Sequence, residues 1–444
     1  MGGDSEMSSI PKGYKKTDVG EIPDDWKAKE LKSIGIFSKG RGISRSEVKE
    51  QGKPCLRYGE IYTIYDTVIY ALKSFISDES VSTSKRLYPG DIIFAASGET
   101  SSEIAKNVTY LGEEEAYVGG DTIILTPKSQ DSVFLSYLLN SYPIAKQKSK
   151  IGQGDAVVHI HISKLDKIII CIPSLTEQQT IAQVLSDMDA LIQAQKELIA
   201  KKRDIKQGTM QDLLSGRVRL PGYETKGWKH TDIGDIPDDW DVKKLGEEGV
   251  FLTTSSYTRS ELREYGDVAC LHYGDIHTRF HTWLDCSSTE LPMISRDMVK
   301  QYPYLKNGDL VIADASEDYE GLGDCVEICN IDSRLCIGGL HTIVYRAKPG
   351  LFAPSYIGLF RNLQVVRNQL VSQAVGTKVY SLTNSMIGSI LVPIPSLLSE
   401  QQAIAHVLSD MDDELETLEA ELEKLNHMKR GMMQELLTGR IRLI

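Results

Sequence analysis

Two stretches of the 444-residue chain concentrate side chains that can hydrogen-bond nucleic-acid bases and phosphates. Arg, Lys, Asn and Gln read base edges in a DNA groove, and further basic groups hold phosphates. The first stretch offers Lys39, Arg41, Arg45, Arg57, Lys85, Arg86, Gln153 and His159, with His161 two residues further on. The second offers Tyr257, Arg259, Arg263, His272, His277, Arg279, Lys378 and Tyr380. Each residue could equally be an ordinary solvated charge or a strand residue packed on its neighbour.

Motifs for catalysis are missing from the sequence. It has no Gly-x-x-x-x-Gly-Lys-Ser/Thr nucleotide loop, no aromatic-proline motif of an amino-methyltransferase, and no nuclease set of two carboxylates and a lysine repeated in both halves. The seven cysteines are scattered, and no CxxC or histidine pair completes a zinc site around Cys325, Cys329 and Cys336. We therefore expect a protein that is not an enzyme, with no catalytic residue, metal or cofactor.

Charge and hydropathy limit the class of protein. The net charge is −12, which argues against nonspecific coating of DNA by a basic surface. The charge is uneven: residues 32–170 carry 17 Lys and Arg against 16 Asp and Glu, whereas residues 246–393 carry 12 against 17. Any contact with DNA should therefore be local or completed by a partner. Because no apolar run reaches the roughly 18 residues of a membrane span, and Met1–Lys16 has no apolar core, we expect a cytoplasmic protein.

The chain contains one unit twice. Similar segments recur in the same order at offsets that grow slowly, as loop insertions in a duplicated gene would produce. The similar ends suggest one shared task, and the divergent middles, 38–160 and 253–382, suggest two different tasks. The recurring pairs include Gly20–Trp26 with Gly234–Trp240, Arg57–Ile61 with His272–Ile276, and Val184–Asp189 with Val407–Asp412.

Each copy ends in a predicted long helix. Thr176–Gln179 and Ser399–Gln402 fit capping boxes, about 38 residues without proline follow, and Gly216 and Gly439 suit helix ends. In the second helix apolar residues keep the 3-4 spacing of a coiled-coil seam. The first helix has polar residues at several matching positions, and Leu191, Leu198 and Ile205 offer an alternative face. Seam positions are Leu408, Met411, Leu415, Leu418, Leu422, Leu425, Met432 and Leu436 in the second helix, matched by Leu185, Met188, Ile192, Gln195, Ile199, Lys202, Lys206, Thr209 and Leu213 in the first.

The predicted architecture follows from these elements. The first helix is basic and the second acidic, so the two should pair with each other, in antiparallel orientation. Short strands and one helix in each middle (132–149 and 353–371) predict mixed α/β domains. We thus expect an α+β protein of two tandem, pseudo-repeated domains separated by two long helices that form an antiparallel coiled coil. The predicted boundaries are an N-terminal extension at 1–19, a first domain at 20–173, a first helix at 174–220, a second domain at 221–395 and a second helix at 396–444.

The ordered set of motifs resembles the specificity subunits of type I restriction–modification systems. The resemblance covers nearly all of residues 11–444 and rests on five features: the Ile-Pro-Asp-Asp-Trp entry, the Tyr-Gly-Glu/Asp-Ile and Gly-Asp-Ile-Ile segments, the Ile-Pro-Ser…Glu-Gln-Gln helix start and the Leu-Leu-Ser/Thr-Gly-Arg end. It implies two target-recognition domains, each reading one half of a bipartite site in double-stranded DNA. It also implies spacer helices that dock two DNA adenine methyltransferase subunits, with restriction subunits as further partners.

Two consequences can be stated from the duplication. Because the middles differ, the two half-sites should differ, and exchanging residues 38–160 for those of another member should change one half-site only.

The main alternative is a coiled-coil scaffold that binds proteins and no DNA. That alternative accounts for the acidic balance and the helices, but not for loops that diverge while keeping Arg, Gln and Tyr.

Overall fold

A computed structural model describes residues 11–17, 19–152, 158–224, 227–280, 282–332, 334–376 and 378–444. The chain divides into two compact units of similar construction. The first unit comprises Met1–Lys196 and Ala420–Ile444, and the second comprises Glu197–Glu419. Each unit therefore combines one mixed domain with the start of its own long helix and the end of the other, so the predicted duplication extends to tertiary structure.

The first mixed domain contains sixteen strands among the described residues. They are β1 (Tyr14–Thr17), β2 (Gly20–Pro23), β3 (Lys27–Glu30), β4 (Gly35–Lys39), β5 (Val48–Lys49), β6 (Lys53–Leu56), β7 (Val68–Ile69), β8 (Ser74–Ile76), β9 (Lys85–Leu87), β10 (Ile92–Ala95), β11 (Ser97–Gly98), β12 (Asn107–Tyr110), β13 (Ala116–Val118), β14 (Thr122–Pro127), β15 (Val158–His159) and β16 (Ile169–Ile172). Its helices are α1 (Tyr58–Thr63), α2 (Asp78–Val81), α3 (Ser132–Leu139), α4 (Tyr142–Ile151) and α5 (Ile162–Leu165), and short 3-10 helices cover Leu31–Ser33 and Arg45–Glu47.

Two five-stranded sheets organise this domain. One has the order β4-β14-β10-β12-β7 and the other β5-β8-β6-β13-β9, while β11 pairs with β15 and β3 with β16. Strand β10 is buried along its length because apolar side chains cover both faces. Phe94, Phe134 and Leu138 share a core with Ile181 and Leu185 of the following long helix. The domain is thus packed directly on that helix.

The second mixed domain repeats this arrangement. Its strands are β17 (Trp228–Thr231), β18 (Gly234–Pro237), β19 (Trp240–Lys244), β20 (Gly249–Leu252), β21 (Val268–Leu271), β22 (Thr282–Asp285), β23 (Met293–Ile294), β24 (Leu310–Ala313), β25 (Ala315–Ser316), β26 (Cys325–Cys329), β27 (Cys336–Gly338), β28 (Thr342–Ala347), β29 (Tyr380–Ser381) and β30 (Leu391–Pro395). After helix α6 (Leu175–Leu214), its own helices are α7 (Leu245–Glu248), α8 (Tyr273–Thr278), α9 (Gln364–Gln373) and α10 (Asn384–Ser389), with 3-10 helices at Arg259–Glu261, Arg296–Met298 and Ile357–Asn362.

Strand order shows that the two domains have one topology. The second main sheet runs β20-β28-β24-β26-β22, with a parallel β22–β26 pair where the first domain has a parallel β7–β12 pair. The smaller β25–β29 pair stands where β11–β15 stands in the first domain. The prediction of two pseudo-repeated mixed α/β domains is confirmed, and positions in the two domains can be matched strand by strand.

The long helices are α6 and α11 (Leu398–Leu436), of 40 and 39 residues. Within each unit they run antiparallel, since Asp189 pairs with Lys429 in the first unit and Lys202 with Glu414 in the second. The second unit adds the pairs Lys206–Asp412 and Arg203–Glu419. Acidic residues of α11 therefore neutralise basic residues of α6, as opposite charge predicted.

Burial decides between the two faces considered for α6. Ile192 and Ile199 are buried, whereas Leu191, Leu198 and Ile205 are 39–49% exposed. The polar seam positions Lys202 and Lys206 are partly buried and face acidic partners on α11, as described above. The seam with polar members is thus the correct alternative, because those polar groups have partners of opposite charge.

Matching arginines join the strands and helices of each unit. In the second unit the Arg219 guanidinium contacts Glu400 (2.6 Å) at the start of α11 and Asp239 (2.8 Å), and it lies 5.6 Å from the Trp240 ring. Both Glu400 and Trp240 are buried, with 1% and 0% of their surface exposed. This cluster ties the segment after α6 to the start of α11 and to β19.

The first unit has the equivalent cluster. Arg442 contacts Glu177 (2.6 Å) and Asp25 (2.7 Å) and lies 5.8 Å from the Trp26 ring. Glu177 and Trp26 are buried. The segment after α11 is therefore tied to the start of α6, which closes the unit between two parts of the chain far apart in sequence.

Three local predictions were wrong. The segment 132–149 forms two helices, α3 and α4, because Asn140 leaves the helical path and its side-chain amide donates to the Asn107 carbonyl (2.7 Å). Likewise, 353–371 contains a 3-10 helix and then α9. The capping boxes are misplaced, since α6 begins at Leu175 and Thr176 lies inside its first turn, as Ser399 does in α11.

No helix in the described part of the chain has the length and apolar character that a membrane span requires.

Candidate nucleic-acid interface

The second domain contains a groove lined by four arginines: Arg259, Arg263, Arg279 and Arg334. Arg259 opens a 3-10 helix whose first amide groups are capped by Thr258 and Glu261. Arg263 is anchored through its backbone to Met293 (2.9 Å), next to β23. The structure thus brings three predicted residues, 259, 263 and 279, to one groove, whose lining also includes Glu264 and Glu290.

These arginines are not equivalent. The Asp275 carboxylate, 3% exposed, accepts from Arg259 (2.7 Å) and Arg279 (3.3 Å), so both guanidinium groups are positioned and partly neutralised by one buried acid. Arg334 donates to the backbone carbonyls of Cys286 and Thr289. Among the described residues, the exposed Arg263 guanidinium has neither an ion pair nor a hydrogen bond, which leaves it available for a phosphate or a base edge.

Substituting Arg263 tests this assignment. We expect Arg263→Ala to weaken DNA binding by the full chain about tenfold and to lower the slope of log K against log salt by about 1, because one cationic contact is lost. The melting temperature should not change, since the side chain has no structural partner in the described residues. Arg217→Ala, an exposed arginine beyond α6, is the matched control. Unchanged affinity in Arg263→Ala would remove this residue from the interface.

In the first domain, Lys39, His159 and His161 surround a small pocket beside β11. His159 is exposed and its Nδ1 lies 2.9 Å from the Ser97 hydroxyl, across the β11–β15 pair. Lys39 ends the edge strand β4 and is also exposed. The lining also includes Asp121, so the opening offers a lysine, two imidazoles and a carboxylate, groups that can hydrogen-bond a phosphate or a base edge of DNA.

The remaining basic candidates of the first domain lie elsewhere on it. Arg41 donates to the Thr83 carbonyl (2.9 Å), which places it beside the segment that leads into Lys85 and Arg86. Lys85 and Arg86 are exposed on β9, and Arg86 contacts Glu115 (3.2 Å). This second basic group is suited to contacting phosphates.

Two further arginines of the first domain differ in availability. Arg45 is exposed and opens a capped 3-10 helix, as Arg259 does in the second domain. Arg57 is half-buried and pairs with Glu60 (3.1 Å), a carboxylate at the position of Asp275. The ion pair commits Arg57 to positioning α1.

Histidines concentrate in the second domain around Tyr273. The rings of His272, His277 and His341 lie 4.6, 6.0 and 5.3 Å from its ring. His272 is buried, its Nδ1 accepts from the Gly274 amide (3.2 Å), and burial lowers its pKa. The Asp324 carboxylate raises the pKa of His277. Neither His272 nor His277 is fully exposed, so their main contacts are within the protein.

The last candidates are two tyrosines, a lysine and a glutamine. Tyr257 donates its hydroxyl to the Met298 carbonyl (2.8 Å). Tyr380 on β29 stacks on Tyr319 with ring centroids 4.0 Å apart. Lys378 is exposed two residues before Tyr380, whereas Gln153 lies outside the described residues. The stacked tyrosines and the nearby lysine form an aromatic and basic surface of this domain, in addition to the arginine groove.

Sequence reasoning missed several residues that the fold places near the candidates. Arg334 and the 74%-exposed Tyr265 line the arginine groove, and Tyr319 stacks on Tyr380. His341 occupies the place of Asp121 in the repeated Gly-Gly turn, where both residues have a φ of 55°. Of these residues, only His341 could have been noticed in the sequence, because the repeated Gly-Gly motif has Asp121 in the first copy and this histidine in the second.

Comparison with known proteins agrees with this duplicated layout. The profile of the type I restriction modification DNA specificity domain matches residues 23–201 and again 237–427. A putative type I restriction enzyme specificity subunit of Methanocaldococcus jannaschii (MjaX) is 30% identical over 446 residues, 97% of each chain. The EcoKI specificity subunit of Escherichia coli is 22% identical over 445 residues, 95% of this chain and 90% of that one.

Solved structures show the same fold. A chain from a study of complex assembly and conformational transition in a type I R-M system has a TM-score of 0.56 at 15% identity, covering 95% of this chain and 99% of its own. The S subunit of a type I restriction–modification system from M. genitalium has a TM-score of 0.51 at 16% identity, with 93% and 96% coverage. At these identities the likeness concerns the fold alone.

Proposed function

The chain belongs to the family of type I restriction–modification DNA specificity subunits, and we propose that its two mixed domains read the two different halves of one bipartite DNA site. The long helices set the length of the gap between the two half-sites in the DNA, and they dock methyltransferase subunits. The chain itself catalyses nothing, and a partner subunit performs the methylation. Double-stranded DNA and two copies of an adenine methyltransferase are the partners proposed.

The observation that carries this proposal is a shared scaffold with different side chains at matched positions. At the ends of helices α1 and α8 the exposed Ile64 matches the exposed Arg279. Among the residues that position these helices, Arg57 matches His272 and Tyr62 matches His277. Strand order places these residues equivalently in the two domains. An exposed arginine in one domain and an exposed apolar residue at the equivalent place in the other present different groups to a base, so the two half-sites should differ and the target should be asymmetric.

The domains also differ in their cationic surfaces. The second has the arginine groove, whereas the first has the pocket of Lys39, His159 and His161 and a separate basic group on β9. Local clusters of this kind support DNA contact in a chain whose net charge is −12. We assign the remaining contacts with DNA phosphates to the methyltransferase partner.

Docking of a partner on the helices is supported by two apolar side chains of the second unit. Leu198 and Ile205 lie seven residues apart on α6, outside its seam with α11, and are 39% and 45% exposed. Exposed apolar residues at heptad spacing are suited to a further helix. A methyltransferase subunit that supplies such a helix is the occupant proposed.

The test is sequence-resolved adenine methylation of a bacterial genome expressing a candidate methyltransferase partner, with and without this chain. We expect methylation at one asymmetric, gapped motif that disappears when the chain is omitted. An active, bound partner that gives no chain-dependent motif would contradict DNA reading and would favour a scaffold that binds proteins only.

A further inference from the structure

The two domains use different chemistry for one internal contact. In the first domain the Tyr62 hydroxyl on α1 donates to the Ser97 carbonyl on β11 (3.2 Å). In the second domain His277 stands at the matching position of α8, and its Nε2 lies 2.8 Å from the Ala315 carbonyl on β25. Ser97 and Ala315 are themselves matched, since each begins the short strand that pairs with the β15 or β29 segment. One structural contact is thus made by a phenol in one domain and an imidazole in the other.

Both ring nitrogens of His277 face acceptors. Nε2 faces the Ala315 carbonyl, and Nδ1 lies 2.7 Å from Asp324 Oδ2. A neutral imidazole has one N–H donor and one lone pair, so it can satisfy only one of these oxygens. The imidazolium has two donors and satisfies both, so the observed geometry favours the charged form.

The charged surroundings are consistent with that form. Asp324, in the loop before β26, is the carboxylate in direct contact, and it also accepts from Arg361 (2.6 Å) in the 3-10 helix Ile357–Asn362. Arg361 opposes the charge on His277, but Asp324 has the larger effect and the pKa of His277 is raised.

A second ionisable pair also lies near Tyr273. There His341, in the turn before β28, pairs with Asp314 (3.1 Å). Asp275, on α8 itself, is engaged with Arg259 and Arg279 in the arginine groove. Asp324 is therefore the only carboxylate among the described residues that contacts the His277 ring.

Strand β25 links this contact to the candidate DNA surface. Ala315 pairs with Ser381 and Ser316 with Tyr380, the tyrosine that stacks on Tyr319. Just before β25, the backbone carbonyl of Asp314 accepts a hydrogen bond from the backbone N–H of Leu382 (2.8 Å). Loss of the His277 bond would free one anchor of the β25–β29 pair and so of Tyr380 and the nearby Lys378.

We propose that His277 is a pH-dependent positioning residue, which makes reading of the second half-site, and not of the first, weaken as the pH rises. The expected effect on DNA binding rests on the proposed DNA-reading function, whereas the anchoring of β25 can be measured without DNA. Its sign follows from linkage: a histidine with a raised pKa stabilises fully below about pH 6.5, its unfolded value, and this stabilisation is lost as the pH rises through the folded pKa. Tyr62 has no such effect, because burial raises its pKa to about 12.

The first measurement is amide hydrogen exchange of the full chain between pH 6 and 9, corrected for intrinsic rates. Protection of the peptide that contains β25 should fall about tenfold over this range, whereas protection of β11 should stay constant. In His277→Gln the side-chain amide supplies a donor that does not titrate, so the β25 profile should become flat. His341→Gln should retain the wild-type profile. A β25 profile that is flat in the wild type, or unchanged in His277→Gln, would overturn the proposal.

The second measurement uses the assembled methyltransferase complex and two DNA duplexes, each with one half-site scrambled. Binding that depends on the second half-site should weaken about tenfold from pH 6.5 to 9, and binding that depends on the first should not. His277→Tyr, which places the phenol of the first domain at this contact, should remove the pH dependence of the second half-site. Failure to bind either duplex at any pH would count against the proposed function, while the exchange profile would still decide the role of His277.

Discussion

Replacing Arg219 by alanine is expected to lower the free energy of unfolding of the second unit by about 3 kcal/mol or more, because it leaves a buried carboxylate without its counter-charge. The Arg219 side chain is 5% exposed and the Glu400 side chain 2%. Arg442→Ala should likewise lower the free energy of unfolding of the first unit. The decrease should be somewhat smaller, since the Arg442 side chain is 20% exposed and water can partly solvate the Glu177 that remains.

The measurement is denaturant unfolding of the full chain, with hydrogen exchange to show which unit is affected. Arg217→Ala and Arg440→Ala are matched controls two residues before each arginine. Their side chains are 63% and 60% exposed and contact acids in the last turn of the same helix, so each should cost no more than about 0.5 kcal/mol. A loss below about 1 kcal/mol for both Arg219→Ala and Arg442→Ala would contradict a structural role for the two clusters.

A chimera in which residues 39–160 are replaced by a second copy of residues 253–382 should methylate a target that contains the second half-site twice. The reason is that the two helices present the same surface to their domains. Ile181, Ala182 and Leu185 of α6 are buried against the first domain, and Ile404, Ala405 and Leu408 of α11 are buried against the second. The transplanted domain therefore meets the side chains on which it already packs.

A buried glutamine makes the same connection in both units. Gln178 accepts from the Asp131 amide (3.0 Å) and donates to the Pro173 carbonyl (3.0 Å). Gln401 accepts from the Ala353 amide (2.8 Å) and donates to the Pro395 carbonyl (2.9 Å). The polar contact between helix and domain should consequently re-form in the chimera.

Genome-wide methylation by the chimera with its partner is the readout, and the reciprocal chimera, with the first domain twice, is the control. We expect the original first half-site to vanish from the motif completely, while the second is retained. If the chimera folds and binds its partner but its motif still contains the first half-site, base reading does not reside in residues 39–160.

The elements that depend on local pattern could be predicted from the amino-acid sequence alone. The repeated motifs gave the duplication, because identical short segments in the same order need no tertiary information. The long stretches without proline and the apolar spacing predicted one long helix at the end of each copy, where α6 and α11 lie, since a long amphipathic helix is specified along its whole length. The opposite charges of the two helices were enough to predict their pairing.

Which candidate side chains have an internal partner depends on the tertiary structure. Arg57, Arg259 and Arg263 look alike in the sequence, but Glu60 holds the first and Asp275 the second, while Arg263 has no such partner among the described residues. The raised pKa of His277 depends on Asp324, 47 residues away. Ion pairs and hydrogen bonds act over a few ångströms in space, and contacts between residues distant along the chain leave no local pattern from which they could be predicted.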